Sequence, residues 1–290
     1  MRETRIIMGM PVTVEIVEKT DTDNTGVLTD CPIVMKEVFD YFVYVDEKFS
    51  TYKSTSEISA INTSKLAPAD YSDDMKEIFM LAEKTKHETD GYFDIVNREG
   101  KYDPSGIVKG WAIWNAGKIL RRRGVENFFV DAGGDVQTAG FKGGLKSGGK
   151  NGKGYGKGEK WSVGIADPFA KNYGGTAMTG APSRVVKIIR VSGEGVATSG
   201  TAIRGQHIYN PHKKRDKKDD GIYDIVSLTV IGPNIYEADR FATAAFAMGK
   251  RGIEFIENLK DLEDGKKLEA YMIDKNGMAI MTSGFEKYVI

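Results

Sequence analysis

Asp239 and Thr243 lie four residues apart within the stretch EADRFATAAFAM, Glu237 to Met248. On a helix that spacing puts both side chains on one face, with Cβ atoms ~5–6 Å apart. A carboxylate beside a hydroxyl makes a pair of hard oxygen donors, suited to Mg²⁺ and poor for zinc or copper. The same spacing also fits an acidic residue placed early in a helix by the dipole, with a threonine that only packs. The rest of the stretch is small and apolar, with Ala238, Ala242, Ala244 and Ala245 beside Phe241 and Phe246. Such a helix can approach its neighbours closely.

Three glycine-rich turns carry further polar groups. Asp103-Pro104-Ser105-Gly106-Ile107-Val108-Lys109-Gly110 stands just before an apolar helical pattern. Backbone N–H groups at such a start can face an anion, and Lys109 adds a mobile positive charge. It is not a phosphate-binding P-loop, because the glycine–lysine–hydroxyl spacing is absent. Asp131-Ala132-Gly133-Gly134-Asp135 follows a short apolar strand, and its paired glycines permit positive φ. Val196-Ala197-Thr198-Ser199-Gly200 precedes Arg204 and His207-Ile208-Tyr209-Asn210-Pro211. Small hydroxyls, an arginine and a histidine suit phosphate or another acidic ligand. His87 and His212 fall among charged neighbours and read as solvated.

The elements that must position these groups follow from periodicity. Arg5 to Val17 reads as a strand pair or bulged strand around Met8-Gly9-Met10-Pro11. Asp30 caps a helix carrying Val34, Val38, Phe42, Val45 and Phe49 on one face. Ser72 caps a second helix through Met75, Ile78, Phe79 and Ala82. A third runs from about Ile107 to Ile119 and ends in Arg121 to Arg123 and Gly124, where cations and glycine are favoured. Strands are expected at Phe128 to Val130, Trp161 to Ala166, Val185 to Val191, His207 to Tyr209 and Ile225 to Ile231. Pro233-Asn234 opens the helix bearing Asp239. A short helix spans Gly252 to Leu259, and Asn276-Gly277 turns a closing hairpin between Glu269 to Ile273 and Met278 to Met281.

Lys142 to Lys160 holds eight glycines and six lysines in nineteen residues. It has no means of burying a core and reads as a mobile, solvated loop. With only Tyr155 to stack on bases, it is a poor nucleic-acid site. The 290 residues contain 41 Lys plus Arg against 41 Asp plus Glu, a balance that gives no overall attraction to nucleic acid or membrane. The single cysteine, Cys31, excludes an internal disulfide and reads as a buried structural thiol. No apolar run approaches a membrane span, and no secretory signal or lipoprotein cysteine opens the sequence. A cytoplasmic protein is expected, or an exported one if a signal segment was removed. With no linker dividing the chain, residues 1–290 read as one domain.

The order of these motifs resembles the ApbE-like family of FAD:protein FMN transferases, or flavin transferases. The matching pieces are MGM at Met8 to Met10, FSTYKSTSEISAINTS at Phe49 to Ser64, GYFDI at Gly91 to Ile95 and DPSGIVKGWA at Asp103 to Ala112. DAGGD at Asp131 to Asp135, ATSG at Ala197 to Gly200, HIYNP at His207 to Pro211 and VSLTVIGPNIYEADRFATAAFAMG at Val226 to Gly249 follow in the family's order. The resemblance implies an α+β fold, a single large mixed α/β domain of the T-fold-related type with its active site between two halves. It implies Mg²⁺-dependent attachment of FMN, taken from FAD, to a Thr or Ser of an acceptor flavoprotein, with release of AMP. Asp239, Thr243 and the Gly106 carbonyl match the family's metal ligands. Asp103, Lys109, Met8 and Tyr52 match its FAD contacts. Thr198 and Arg204 are further phosphate-side candidates, His207 and Asp239 are the candidates for catalysis, and Tyr52 or Trp111 for stacking on the flavin ring. An FAD pyrophosphatase would use the same site with water in place of the acceptor; the alternative of a flavin-binding protein without catalysis is opposed by the Asp239 and Thr243 pair, because storage has no evident need of a metal at the pyrophosphate. The chain departs from the family in the eight residues between Asp94 and Asp103, in Asn210 where an Asp is usual, and in the basic glycine loop.

Overall fold

The computed structural model describes residues 1–17, 30–143, 158–170, 184–201, 208, 210–212, 224–262 and 265–290. Its centre is an eight-stranded sheet in which every strand pairs antiparallel with its neighbours. The strands are β1 (Arg2–Ile7), β2 (Met10–Ile16), β3 (Phe128–Ala132), β4 (Asp135–Ala139), β7 (Gly195–Gly200), β8 (Ile225–Gly232), β9 (Glu269–Asp274) and β10 (Ala279–Met281), in that spatial order. A separate ribbon pairs β5 (Trp161–Ala166) with β6 (Val185–Val191). The mixed α/β single domain inferred from the motifs is the one observed.

Alternation along the strands builds two cores. Val130 on β3, Ala197 on β7, Leu228 and Val230 on β8, and Ala270 and Met272 on β9 face the helices. Val136, Val196, Ile231, Tyr271 and Ile273 face the other way, where they meet Trp161, Val163, Ile189 and Phe285. This period of two is what a sheet buried on both faces requires.

The helices are α1 (Cys31–Phe49), α2 (Glu57–Asn62), α3 (Asp73–Glu88), α4 (Ser105–Arg122), α5 (Ile235–Ala247) and α6 (Arg251–Asn258). The caps read from the sequence are in place. Asp30 accepts from the Ile33 N–H, Ser72 from Met75 and Asn234 from Glu237. Cys31 is buried and free.

Three elements went unread in the sequence. The short helix α2 precedes the Ser72-capped helix. Strand β4 is buried at every position. Strand β7 runs where a hydroxyl-rich turn was expected. His207 and Tyr209 of the expected strand and residues 144–157 of the glycine–lysine loop lie outside the described residues, and Ile208 belongs to no strand. The ends of that loop meet, with the Lys142 N–H donating to the Glu159 carbonyl at 2.8 Å. Among the described residues no helix is long and apolar enough to cross a membrane.

Candidate active site

The helices α4 and α5 cross over the sheet, and the crossing is made possible by a glycine. A Cβ on Gly110 would lie 2.6 Å from the Asp239 Cβ and 3.0 Å from the Ile235 carbonyl oxygen. Alanine is better than glycine inside a helix by about 1 kcal/mol. Here the contact with α5 outweighs that preference. At the same point the Gly110 N–H donates to Asp239 Oδ2 at 2.8 Å. The carboxylate is 4% exposed, so this hydrogen bond fixes a buried anion against the first turns of α4.

One turn along α5, Thr243 Oγ1 lies 3.5 Å from the Gly106 carbonyl oxygen. The i, i+4 relation thus aligns Asp239 and Thr243 with Gly110 and Gly106, which are themselves i, i+4 on the facing helix. The result is a carboxylate, a hydroxyl and a backbone carbonyl at one helix crossing. Among the described residues no cluster of three or more His, Cys, Asp or Glu side chains could hold a metal. A set with one carboxylate and neutral oxygens suits Mg²⁺, which completes its shell with water and substrate phosphates rather than with a protein cage. The donor chemistry fits.

Lys109, next in sequence to Gly110, reaches the sheet. Its Nζ lies 2.5 Å from Asp135 Oδ2, with side chains 20% and 2% exposed. The other Asp135 oxygen accepts the Thr198 N–H at 3.0 Å, and Thr198 Oγ1 shares a 2.9 Å hydrogen bond with Thr229 Oγ1. Two candidates from the sequence, Lys109 and Thr198, are therefore joined through Asp135, to which the sequence alone assigns no role. The DAGGD motif was its only signal.

That motif is a hairpin turn. Gly133 and Gly134 both have positive φ, 63° and 95°, and link β3 to β4. Beside it, Met8 and Gly9 also have positive φ and link β1 to β2. The DAGGD turn reaches the start of β2, where the Gly133 N–H donates to the Pro11 carbonyl at 3.0 Å. Met8 therefore stands at the same end of the sheet as Asp135. Asp131, whose Oδ1 accepts from the Gly134 N–H at 2.8 Å, has its carboxyl pushed up to about 6. Burial is the main cause and the nearby Asp135 charge adds to it, against the Gly134 hydrogen bond, Arg2 and Lys109.

The other candidates are more scattered. Asp103 is exposed and turns its carboxylate onto the Ser105 N–H at 3.1 Å, serving the start of α4. Tyr52 is 98% exposed on the turn after α1. Trp111 does not offer its ring to a flavin. It is 4% exposed and packs edge-on to Phe49 at 5.7 Å and against Tyr41 at 6.3 Å. Position i+5 from Gly106 turns it into the core. Arg204 and His207 lie outside the described residues. The flanking Asn210 is buried and accepts from the His212 N–H at 3.0 Å. His212, expected in solvent, is exposed but tethered: its Nε2 lies 2.8 Å from the Asp90 carbonyl and its ring packs edge-on to Tyr92 at 4.6 Å.

Relatives with this architecture are known. The chain is similar to FAD:protein FMN transferase of Escherichia coli K12, 24% identical over 188 residues that cover 62% of this chain and 44% of that protein. The corresponding protein of Klebsiella pneumoniae is 26% identical over the same shares. The matched stretch thus spans less than half the length of these curated relatives. Among solved structures, the flavin transferase ApbE of Vibrio cholerae superposes with a TM-score of 0.73 at 20% identity, covering 99% of this chain and 98% of that one. The apo flavinyl transferase ApbE of Pseudomonas stutzeri does so with a TM-score of 0.71 at 18% identity, covering 100% and 97%. Those likenesses establish the fold. The ApbE family model matches residues 8–99 and 96–264, across both helices of the crossing and the hairpin turns beside it. By that match the chain belongs to the ApbE family.

Proposed function

We propose that this protein transfers FMN from FAD to a Thr or Ser hydroxyl of an acceptor flavoprotein, through a phosphoester bond and with Mg²⁺, releasing AMP. The observation that carries the reading is the crossing of α4 and α5, where Asp239, Thr243 and the Gly106 carbonyl converge, one residue along α4 from Lys109. The names of the relatives support it. Bound by those three oxygens, Mg²⁺ would neutralise charge on the pyrophosphate. The protein's own part is positioning and electrostatics, the main resources of phosphoryl transfer.

In this reading Lys109 places its ammonium toward the pyrophosphate, with Thr198 and Arg204 on the phosphate side. Met8, Tyr52 and Asp103 take the remaining FAD contacts. The acceptor oxygen forms a bond to the FMN-side phosphorus and the bond to the AMP oxygen breaks, with AMP leaving on that electron pair. The hydroxyl proton passes to a base, for which His207 and Asp239 are the candidates. Water in place of the acceptor would make the enzyme an FAD pyrophosphatase. This second reading rests on the short stretch between Asp94 and Asp103, where a trimmed pocket wall would admit water.

Incubation with FAD, Mg²⁺ and a candidate acceptor separates them. Acceptor-bound FMN by mass spectrometry, equal in amount to AMP by chromatography, is the expected result. Free FMN dominating at saturating acceptor would select hydrolysis. FAD bound but never cleaved would leave only a flavin-binding protein.

A further inference from the structure

The DAGGD hairpin holds a carboxylate, Asp135, to which the FMN-transfer reading gives no role. Asp135 is 2% exposed and stands first on β4, directly after the two glycines of the turn. Both of its oxygens are engaged from different elements. Oδ1 takes the Thr198 N–H of β7, and Oδ2 lies 2.5 Å from the Lys109 ammonium of α4. Held by a hydrogen bond at Oδ1 and by its burial, with Oδ2 in an ion pair, this carboxylate has little freedom to swing. A lysine on a four-carbon stem has a great deal of it.

The geometry points to Asp135 as a positioning residue: it fixes the Lys109 ammonium beside the Asp239–Thr243 oxygen set, so that the charge is in place before FAD arrives. Lys109 is one residue from Gly110, whose N–H holds Asp239. Its backbone is therefore set by the helix crossing, and only the side chain is left to be directed. Direction from a buried anion suits this, because the ion pair is shielded from solvent on the Asp135 side and open by about a fifth on the lysine side. Thr198 shares the task by holding Asp135 in place. The inference rests on the FMN-transfer reading for what Lys109 faces, and on the structure alone for what holds it.

The test is a double-mutant cycle on FAD-dependent AMP release, using Asp135→Asn, Lys109→Met and the double variant. Asparagine keeps the oxygen that accepts from Thr198 and removes the charge facing Lys109. Misplacing a catalytic group by an ångström can cost ~100-fold, so Asp135→Asn should lower turnover roughly 10–100-fold. In the Lys109→Met background it should cost less than about threefold, because the group it positions is gone. Costs that multiply, or an Asp135→Asn enzyme as fast as wild type, would overturn the proposal. A second measurement needs no Asp135 variant. In ¹⁵N-lysine-labelled protein, the Nζ resonance missing from Lys109→Arg should exchange its protons more slowly than those of exposed lysines. Exchange at the rate of exposed lysines would refute the anchoring even if Asp135→Asn fails to fold. Wild-type protein that releases no AMP would instead sink the FMN-transfer reading, with the anchoring decided by the exchange rate.

Discussion

Two polar seams run along α5, and they do different work. On one side Asp239 and Thr243 face α4, and the buried carboxylate meets a backbone N–H of Gly110. On the other side Arg240, 2% exposed, is wedged between carboxylates of Glu237 and Glu88. Its Nε donates to Glu237 Oε2 at 2.9 Å and Nη1 to Thr85 Oγ1 at 3.3 Å, while its guanidinium lies 4.0 Å from the Phe241 ring centroid. Burial pushes the Glu237 carboxyl up and Arg240 pulls it back. The second seam is a charge cluster whose partners are all protein, and its product is the docking of α5 on α3. The first presents hard oxygens of which only one is a charge. Adjacent residues on one helix thus divide into a set that closes on itself and a set suited to receive something.

Substitutions can break that division. The largest effect is expected from Asp239→Ala, which should reduce Mg²⁺-dependent AMP release at least ~10³-fold while leaving the far-ultraviolet circular dichroism unchanged. Undiminished turnover in a folded variant would remove Asp239 from the site. Arg240→Met should do the reverse. Removing one partner of a buried pair costs about 3–5 kcal/mol, and the lower end applies because Glu88 is a third exposed. Urea denaturation should show that loss, and turnover per folded molecule should stay within about threefold of wild type. If Arg240→Met lost activity without losing stability, the two seams would not be separate.

Gly110→Ala sharpens the comparison, since it acts where the first seam touches α4. The added methyl must displace Asp239 or α5, at a cost of about 1–3 kcal/mol. AMP release should fall more steeply than stability, and a more stable, fully active variant would contradict the crossing described. The smallest effect concerns Asp131. Its folded-state carboxyl titrates near 6, above the ordinary 3.8, because burial disfavours its charge. The stability this gives is complete below about pH 3.8 and is lost as pH rises through 6. The full shift is worth about 3 kcal/mol, and solvent screening at a carboxyl that is only partly buried brings the expected loss nearer 1 kcal/mol. Asp131→Asn should flatten the stability profile between pH 4 and 6.5. A profile identical to wild type would assign the pH dependence elsewhere.

The amphipathic helices and apolar strands were legible because each repeats a simple period. The α5 seam was legible for the same reason, with Asp239 and Thr243 one turn apart. Strand β4 was not, since Asp135, Gln137 and Thr138 are polar and yet buried. Their partners come from distant chain: Gln137 Oε1 accepts the Ile235 N–H at 2.8 Å at the start of α5, and Thr138 Oγ1 donates to the Glu194 carbonyl at 3.0 Å. Nothing local in a sequence announces such a partner. Strand β7 was obscured by small residues that read as a turn. Trp111 was misjudged because an aromatic residue beside a binding motif looks the same whether it faces a ligand or the core. Asp135 lies inside the DAGGD motif, where the paired glycines already account for a tight turn and nothing local marks the partners of the carboxylate.

The hydrogen bond between Gly110 and Asp239 joins residues 129 apart in sequence. Closing so long a loop is slow, and its entropic cost grows only with the logarithm of its length. Insertions or deletions in the intervening surface loops therefore change the cost of that closure little, while the crossing itself tolerates no extra atom. Any fragment ending before Thr243 lacks the complete oxygen set, whatever else it has folded. For a chain emerging from the ribosome, α4 exists long before its counterpart α5, which follows six of the eight strands of the sheet. Assembly of the candidate centre thus reports that two segments far apart in the chain have met, with α6, β9 and β10 still to follow.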